Sequence, residues 1–281
     1  MPAPGIHSTG EFRIGLALSG GMAKSVTHIG VMKALSEADI PIDCITGTSG
    51  GSMVAAAWAG GIGIDEMEHL ARELGWSRLA SIRLSKLGLA SSKRIESLML
   101  ELVGDRNINE AEVACGITVT DLANGDGRLL TQGSMARAVR ASCSIPQIYR
   151  PVEINGRYYV DGAFSEYLPA ASARSLGAGF VIGIHFSGAQ ADTVSPGNLL
   201  QLSMQLTQLV ASQNLPASLQ QTDYVIVPNT SHLSSFDFKA AEEMIAIGYA
   251  CGLEHVDRIR AAINRKQARL SNVVEWLLND A

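Results

Sequence analysis

Two short segments carry residue types that could together perform acyl transfer. Gly47-Thr48-Ser49-Gly50-Gly51 fits the pattern G-x-S-x-G and stands between an apolar run, 42–46, and a small-residue run, 53–59. A strand that turns sharply into a helix would lift the Ser49 hydroxyl above a sheet, and glycines at 47 and 51 leave room for so tight a turn. The start of a helix also favours developing negative charge. A serine needs a base. Six histidines are present, His7, His28, His69, His185, His232 and His255, and no spacing forces any of them into a triad; His28 falls inside a helical pattern and reads as structural. The second candidate base is Asp161 in Val160-Asp161-Gly162-Ala163, a carboxylate at the edge of a sheet with Gly162 letting neighbouring backbone pass close.

A third segment, Ser19-Gly20-Gly21, follows an apolar run. Glycines there let backbone N–H groups converge above the strand ends, and acyl transfer needs such donors for its oxyanion, each worth on the order of a hundred- to a thousand-fold in rate. A phosphate loop is the competing reading, since Lys24-Ser25 matches the end of a Walker A motif. That motif requires glycines where Leu18 and Ala23 stand, so it fails, and a dinucleotide fingerprint fails at Met22 and Ser25.

The elements that must position these groups alternate. Strands are expected at 14–18 and 42–46, each ending in a glycine turn and each followed by a helix, since Val26, Ile29, Met32 and Leu35 repeat along one face. This alternation is that of a parallel sheet covered on its faces. Helices are expected at 64–74, 95–102 and 135–142. Hairpins are expected at Asn124-Gly125-Asp126-Gly127 and at Asn155-Gly156, and further strands at 180–185 and 224–227. Helices at 199–212 and 239–263 complete a core running from about 12 to 263, and a separate amphipathic helix is expected at 266–279. No linker or internal repeat divides the chain, so residues 1–281 read as one domain.

Composition sets limits. The 281 residues are 47% hydrophobic and 17% charged, enough to fill a sizeable core. A net charge of -5 gives no electrostatic case for nucleic acid. Four cysteines without a C-x-x-C pair argue against zinc and suit a reduced, cytoplasmic setting. The first twelve residues lack the basic-then-apolar order of a signal peptide. No apolar run is long enough to cross a bilayer, so contact with a membrane is expected to be peripheral.

Taken in order, several blocks resemble the patatin-like phospholipase family, especially its small bacterial single-domain members. They are Leu18-Ser19-Gly20-Gly21, His28-Ile29-Gly30-Val31, Gly47-Thr48-Ser49-Gly50-Gly51, Ala138-Val139-Arg140-Ala141-Ser142 with Ile145-Pro146, Asp161-Gly162-Ala163, Leu168-Pro169 and Leu176-Gly177-Ala178. The resemblance implies a three-layer α/β/α fold with a mostly parallel central sheet. It implies a Ser-Asp dyad of Ser49 and Asp161, an oxyanion loop at Gly20, Gly21 and Met22, and support from Gly47, Gly51, Gly162 and Lys24. It implies cleavage of fatty acyl esters through an acyl-enzyme, with an acyl lipid as partner and no metal or other cofactor. An ordinary aspartate is a weak base for a hydroxyl, so burial must raise its pKa. Two positions depart from the family's loop: Met22 replaces its third glycine and Ser25 a later one, while Lys24 keeps the basic position.

Two other functions are weighed. One is an α/β-hydrolase triad using His185, His232 or His255, although only about one strand and helix precede Ser49. The other is a catalytically silent lipid-binding protein on the same scaffold. Among weaker signals, basic and apolar residues interleave over 76–94, read as a cap over a cleft ahead of a lipid-facing surface. Leu199, Leu202, Leu206 and Leu209, with Met204, read as a core helix face ahead of an acyl groove. The last segment, with Trp276, is a candidate for closing the cleft or pairing with a second subunit.

Overall fold

The computed structural model describes residues 12–73, 90–186 and 197–279. Most of the interleaved segment, 76–89, lies outside them, and the side chain of Trp276 is not among those described. The first expected strand is β1 (Ile14–Leu18), followed through a 3-10 turn (Met22–Val26) by α1 (Thr27–Glu37). Next come β2 (Cys44–Thr48) and α2 (Gly50–Ala59), which meet at Ser49. Helices α3 (Ile64–Glu73) and α4 (Lys93–Val103) lead to β3 (Ala114–Asp121), β4 (Gly127–Leu130) and α5 (Met135–Ser142). A hairpin of β5 (Val152–Ile154) and β6 (Arg157–Asp161) precedes α6 (Ala170–Ser175) and β7 (Phe180–Ile184). The chain ends with α7 (Leu199–Gln220), β8 (Tyr224–Ile226) and α8 (Ala241–Asn279).

Strands β3, β2, β1, β7 and β8 pair in that order, all parallel. Strands β4, β5 and β6 add antiparallel pairs. The Asn155-Gly156 turn has both residues at positive φ, 51° and 76°, as a two-residue hairpin requires. Every residue of β1, β2 and β7 is buried. Ile14, Leu16 and Leu18 point into the larger core with α1 to α5 and α8, and Ala17 points into a smaller one beneath α6 and the end of α7. Helices therefore cover both faces, a three-layer α/β/α arrangement.

Three elements differ from the sequence expectation. The strand expected at 42–46 begins two residues later, so the elbow follows Thr48 directly. The helices expected at 239–263 and 266–279 are one continuous helix, α8, because nothing between them breaks the 3.6-residue period. Helix α7 continues past its expected end at 212 and through Pro216. Its leucines 199, 202, 206 and 209 face outward instead of into the core. The inward positions are Ser203, Thr207 and Ala211, small enough to let the helix lie close to what it covers.

Helix α8 crosses α1 at backbone contact. A Cβ on Gly30 would lie 2.0 Å from the Ile245 carbonyl oxygen, and one on Gly248 would lie 2.1 Å from that of Thr27. This crossing holds α1, and with it the glycine loop that precedes it, against the sheet.

Candidate active site

The elbow is as tight as its glycines suggest. A Cβ on Gly47 would meet the Gly51 carbonyl oxygen at 2.5 Å, and one on Gly51 would meet those of Ser19 and Leu18 at 2.4 and 2.5 Å. Ser49 sits at φ 52°, ψ −126°, backbone that a residue other than glycine adopts only when its surroundings force it. Its N–H donates to Ser142 Oγ at 2.8 Å, and Ser142 Oγ donates in turn to the Thr118 carbonyl at 2.7 Å. The Ser142 hydroxyl thus ties the elbow to β3. In the sequence Ser142 is marked only as a small polar residue ending an otherwise apolar helix face, a signal too weak to assign it this role.

Register brings Asp161 to Ser49. Along one edge of β3 the partner is β2 as far as Thr48 opposite Thr118. At the next residue, Val119, the partner on that edge is Asp161 of β6, while β4 occupies the other edge. The end of β2 and the end of β6 therefore abut. A Cβ on Gly162 would lie 2.3 Å from the Thr118 carbonyl oxygen and 3.1 Å from Thr48 Cγ2, so this junction needs a glycine. Across it, Ser49 Oγ donates to Asp161 Oδ2 at 2.8 Å. The other carboxylate oxygen, Oδ1, accepts the Ala163 N–H at 2.9 Å.

Asp161 is fully buried. Burial pushes its carboxyl up to about 7, against the opposing pull of the Ala163 and Ser49 hydrogen bonds. Those two bonds are too few to offset the loss of water. Cys143 lies close by, 3.9 Å from Ser52 Oγ, and its thiol is raised by burial and then by the Asp161 charge. It is held as a neutral thiol.

The glycine loop lies against this pair, with a Cβ on Gly20 placed 3.3 Å from Ser49 Cβ. The Gly20 N–H is committed to the Tyr167 carbonyl at 3.2 Å. The N–H groups of Gly21 and Met22 have no hydrogen-bond partner among the described residues. Met22 is at φ 52°, in the left-handed region where glycine is favoured, so the substituted position carries a backbone cost. Ser25 Oγ fills space left by a glycine, since a Cβ on Gly50 would meet it at 2.3 Å. Lys24 is buried and lines the cavity on the Asp161 side. His28 is structural, as expected: its Nε2–H donates to the Ser19 carbonyl at 3.0 Å, and burial lowers its pKa to about 4, keeping it neutral.

Ser49 opens onto two cavities, and Met22 and Ile145 also border both. The first, about 130 Å³, runs among α1, α2, α3 and α4 and is lined by side chains such as Ile29, Val54, Ala57 and Met99. The second, about 350 Å³, contains Asp161, Gly21, Tyr167 and His185 and is walled by α7. Of the other histidines weighed as bases, His232 bonds Glu243 at 3.0 Å and His255 bonds the Tyr224 hydroxyl at 2.7 Å. Neither lines a cavity at Ser49. Among the described residues no group of three His, Cys, Asp or Glu could hold a metal ion, and no helix is long and apolar enough to cross a membrane.

A mostly parallel sheet with helices on both faces and a serine at a strained strand–helix turn places the protein among the three-layer α/β/α folds. The family model for patatin-like phospholipase matches residues 16–174, which include the glycine loop, the elbow and Asp161. The chain belongs to the patatin-like phospholipase family. It is similar to an uncharacterised NTE family protein of Mycobacterium tuberculosis, 32% identical over 197 residues, which cover 68% of this chain and 54% of that one. It is also 32% identical over 190 residues to the neuropathy target esterase of Drosophila melanogaster, covering 64% of this chain and 13% of that one. A lysophospholipase of Emericella nidulans is 22% identical over 284 residues, covering 88% and 18%. The chain spans about half the length of the mycobacterial relative and under a fifth of the two eukaryotic ones.

Proposed function

We propose that this protein is a serine acyl-hydrolase that cleaves fatty acyl esters of lipids with a Ser49–Asp161 dyad. The observation that carries this reading is the 2.8 Å hydrogen bond from Ser49 Oγ to a carboxylate whose burial has raised its pKa to about 7. A base poised there is about half ionised at pH 7 and strong enough to accept a hydroxyl proton. The esterase and lysophospholipase names of the relatives support the substrate class.

In this mechanism the acyl chain lies in the apolar cavity among α1 to α4. Ser49 Oγ attacks the ester carbonyl and Asp161 takes its proton. The carbonyl oxygen, now an oxyanion, accepts from the Gly21 and Met22 N–H groups. Collapse of the tetrahedral species breaks the bond to the leaving alcohol, which receives the proton from Asp161 and departs through the second cavity. Water then enters, gives a proton to Asp161, attacks the acyl-enzyme carbonyl and frees the fatty acid as Ser49 recovers its proton.

The test uses a fluorophosphonate probe and a p-nitrophenyl acyl ester. Wild type is expected to be labelled at Ser49 and to turn over the ester; Ser49→Ala and Asp161→Asn are expected to lose turnover by at least about a thousand-fold while remaining folded. Turnover retained by either variant would refute the dyad. Because His185 lines the same cavity, His185→Ala is the control, and a dyad enzyme keeps its activity in that variant.

A further inference from the structure

Helix α7 has its apolar side on the outside. Its buried positions, Ser203, Thr207, Ala211 and Ser218, are small or polar, while Leu199, Leu202, Leu206 and Leu209 are 60%, 39%, 41% and 52% exposed. At about 100° per residue the four leucines share one arc of the helix. That arc lies roughly opposite the positions that wall the Ser49 cavity, among them Thr207, Ala211 and Leu215. An ordinary surface helix shows the reverse pattern, apolar inward and charged outward. Here charge is absent altogether: from Thr193 to Thr222 the sequence contains no Asp, Glu, Lys, Arg or His. The helix is nonetheless fastened in place. Asn214 donates to the Ala163 carbonyl at 2.8 Å and accepts the Tyr167 N–H at 3.0 Å, which ties α7 to the loop that follows Asp161.

We propose that the leucine face of α7 is the surface by which the protein rests on a zwitterionic lipid interface. The choice of lipid rests on the lipolytic reading above. Three features favour this occupant. The exposed parts of four leucines amount to on the order of 300 Å², well short of the roughly 800 Å² that a stable protein–protein interface takes from each partner. A lipid surface requires no complementary partner patch, only apolar side chains that enter the headgroup boundary. The uncharged helix suits headgroups without net charge, where basic residues would gain nothing. Seated this way, α7 places the Ser49 cavity about one helix diameter, roughly 10 Å, from the surface that holds the substrate.

Flotation with phosphatidylcholine vesicles tests this. Wild type is expected to float, and the triple variant Leu202→Gln, Leu206→Gln, Leu209→Gln to float at least tenfold less. Raising salt from about 0.05 to about 0.5 M, which shortens electrostatic reach to a few ångströms, is expected to leave wild-type flotation unchanged. None of the three leucines lines the Ser49 cavity, so the variant is expected to hydrolyse a water-soluble short-chain ester as wild type does. Equal flotation of the two proteins overturns the proposal, as does wild-type flotation that salt abolishes. A wild-type dimer in light scattering that the triple variant lacks also overturns it and assigns the face to a second copy. Flotation is read without turnover, so a wild type that binds vesicles but cleaves no ester refutes the lipolytic reading and leaves the docking surface standing.

Discussion

If burial is what makes Asp161 a base, the protein loses stability to keep it, and removing the charge returns that stability. The carboxyl is raised from 3.8 to about 7. At 1.36 kcal/mol for each pKa unit, ionising it in the folded protein costs about 4 kcal/mol relative to the unfolded chain. The sign follows from proton counts. Between pH 4 and pH 7 the folded state holds this proton more tightly than the unfolded one, so stability falls as pH rises through that window and levels off above it. Asp161→Asn keeps the shape and cannot ionise; its Oδ1 still accepts the Ala163 N–H, and its Nδ2 donates to Ser49 Oγ where the carboxylate accepted. It is expected to match wild type near pH 4 and to exceed it by up to about 4 kcal/mol at pH 8, on the order of 10 °C in Tm. Thermal unfolding of both proteins at several pH values from 4 to 8 measures the difference, in which titration of all other groups cancels. The same carboxyl should appear in catalysis with the opposite benefit: wild-type kcat/KM rises with pH through about 7 as the base ionises. A Tm difference that stays constant with pH, or that favours wild type at pH 8, would refute the burial argument, since Asp161 would then ionise at no cost.

Two further outcomes follow from the packing. Ala57 lies eight positions beyond Ser49 along α2, about 12 Å up the helix axis, where it lines the apolar cavity. Ala57→Phe is expected to exclude about four methylenes of a long acyl chain, about 3 kcal/mol of burial. The ratio of kcat/KM for a dodecanoyl over a butanoyl p-nitrophenyl ester should then fall on the order of a hundred-fold; an unchanged ratio would place the acyl chain elsewhere. Gly248→Ala would set a Cβ 2.1 Å from the Thr27 carbonyl oxygen. Urea unfolding should show a loss of about 1–3 kcal/mol as α1 and α8 part, and an unchanged midpoint would mean the crossing is not tight.

Much of the site was legible because its parts are local. The glycines at 47 and 51 mark a turn that only a strand–helix elbow demands, and the turn forms from residues adjacent in sequence. Asn155-Gly156 dictates its hairpin by backbone preference alone, and the order of the blocks marked the family before any contact was known. The leucines of α7 misled because spacing reveals that a helix has an apolar stripe, not which way the stripe faces; that is decided by what the neighbouring elements leave uncovered.

The sequence by itself determined the elbow, the hairpin turns and the alternation of strand and helix, and the resemblance carried by its ordered blocks singled out Ser49 and Asp161 as the candidate pair. Only the tertiary structure decided that they meet. They are 112 positions apart, and their contact depends on β3 pairing with β2 up to Thr118 and with β6 from Val119 onward. A register of this kind is a property of three strands together, and so is the exclusion of water that raises the Asp161 pKa; neither is written in any one segment.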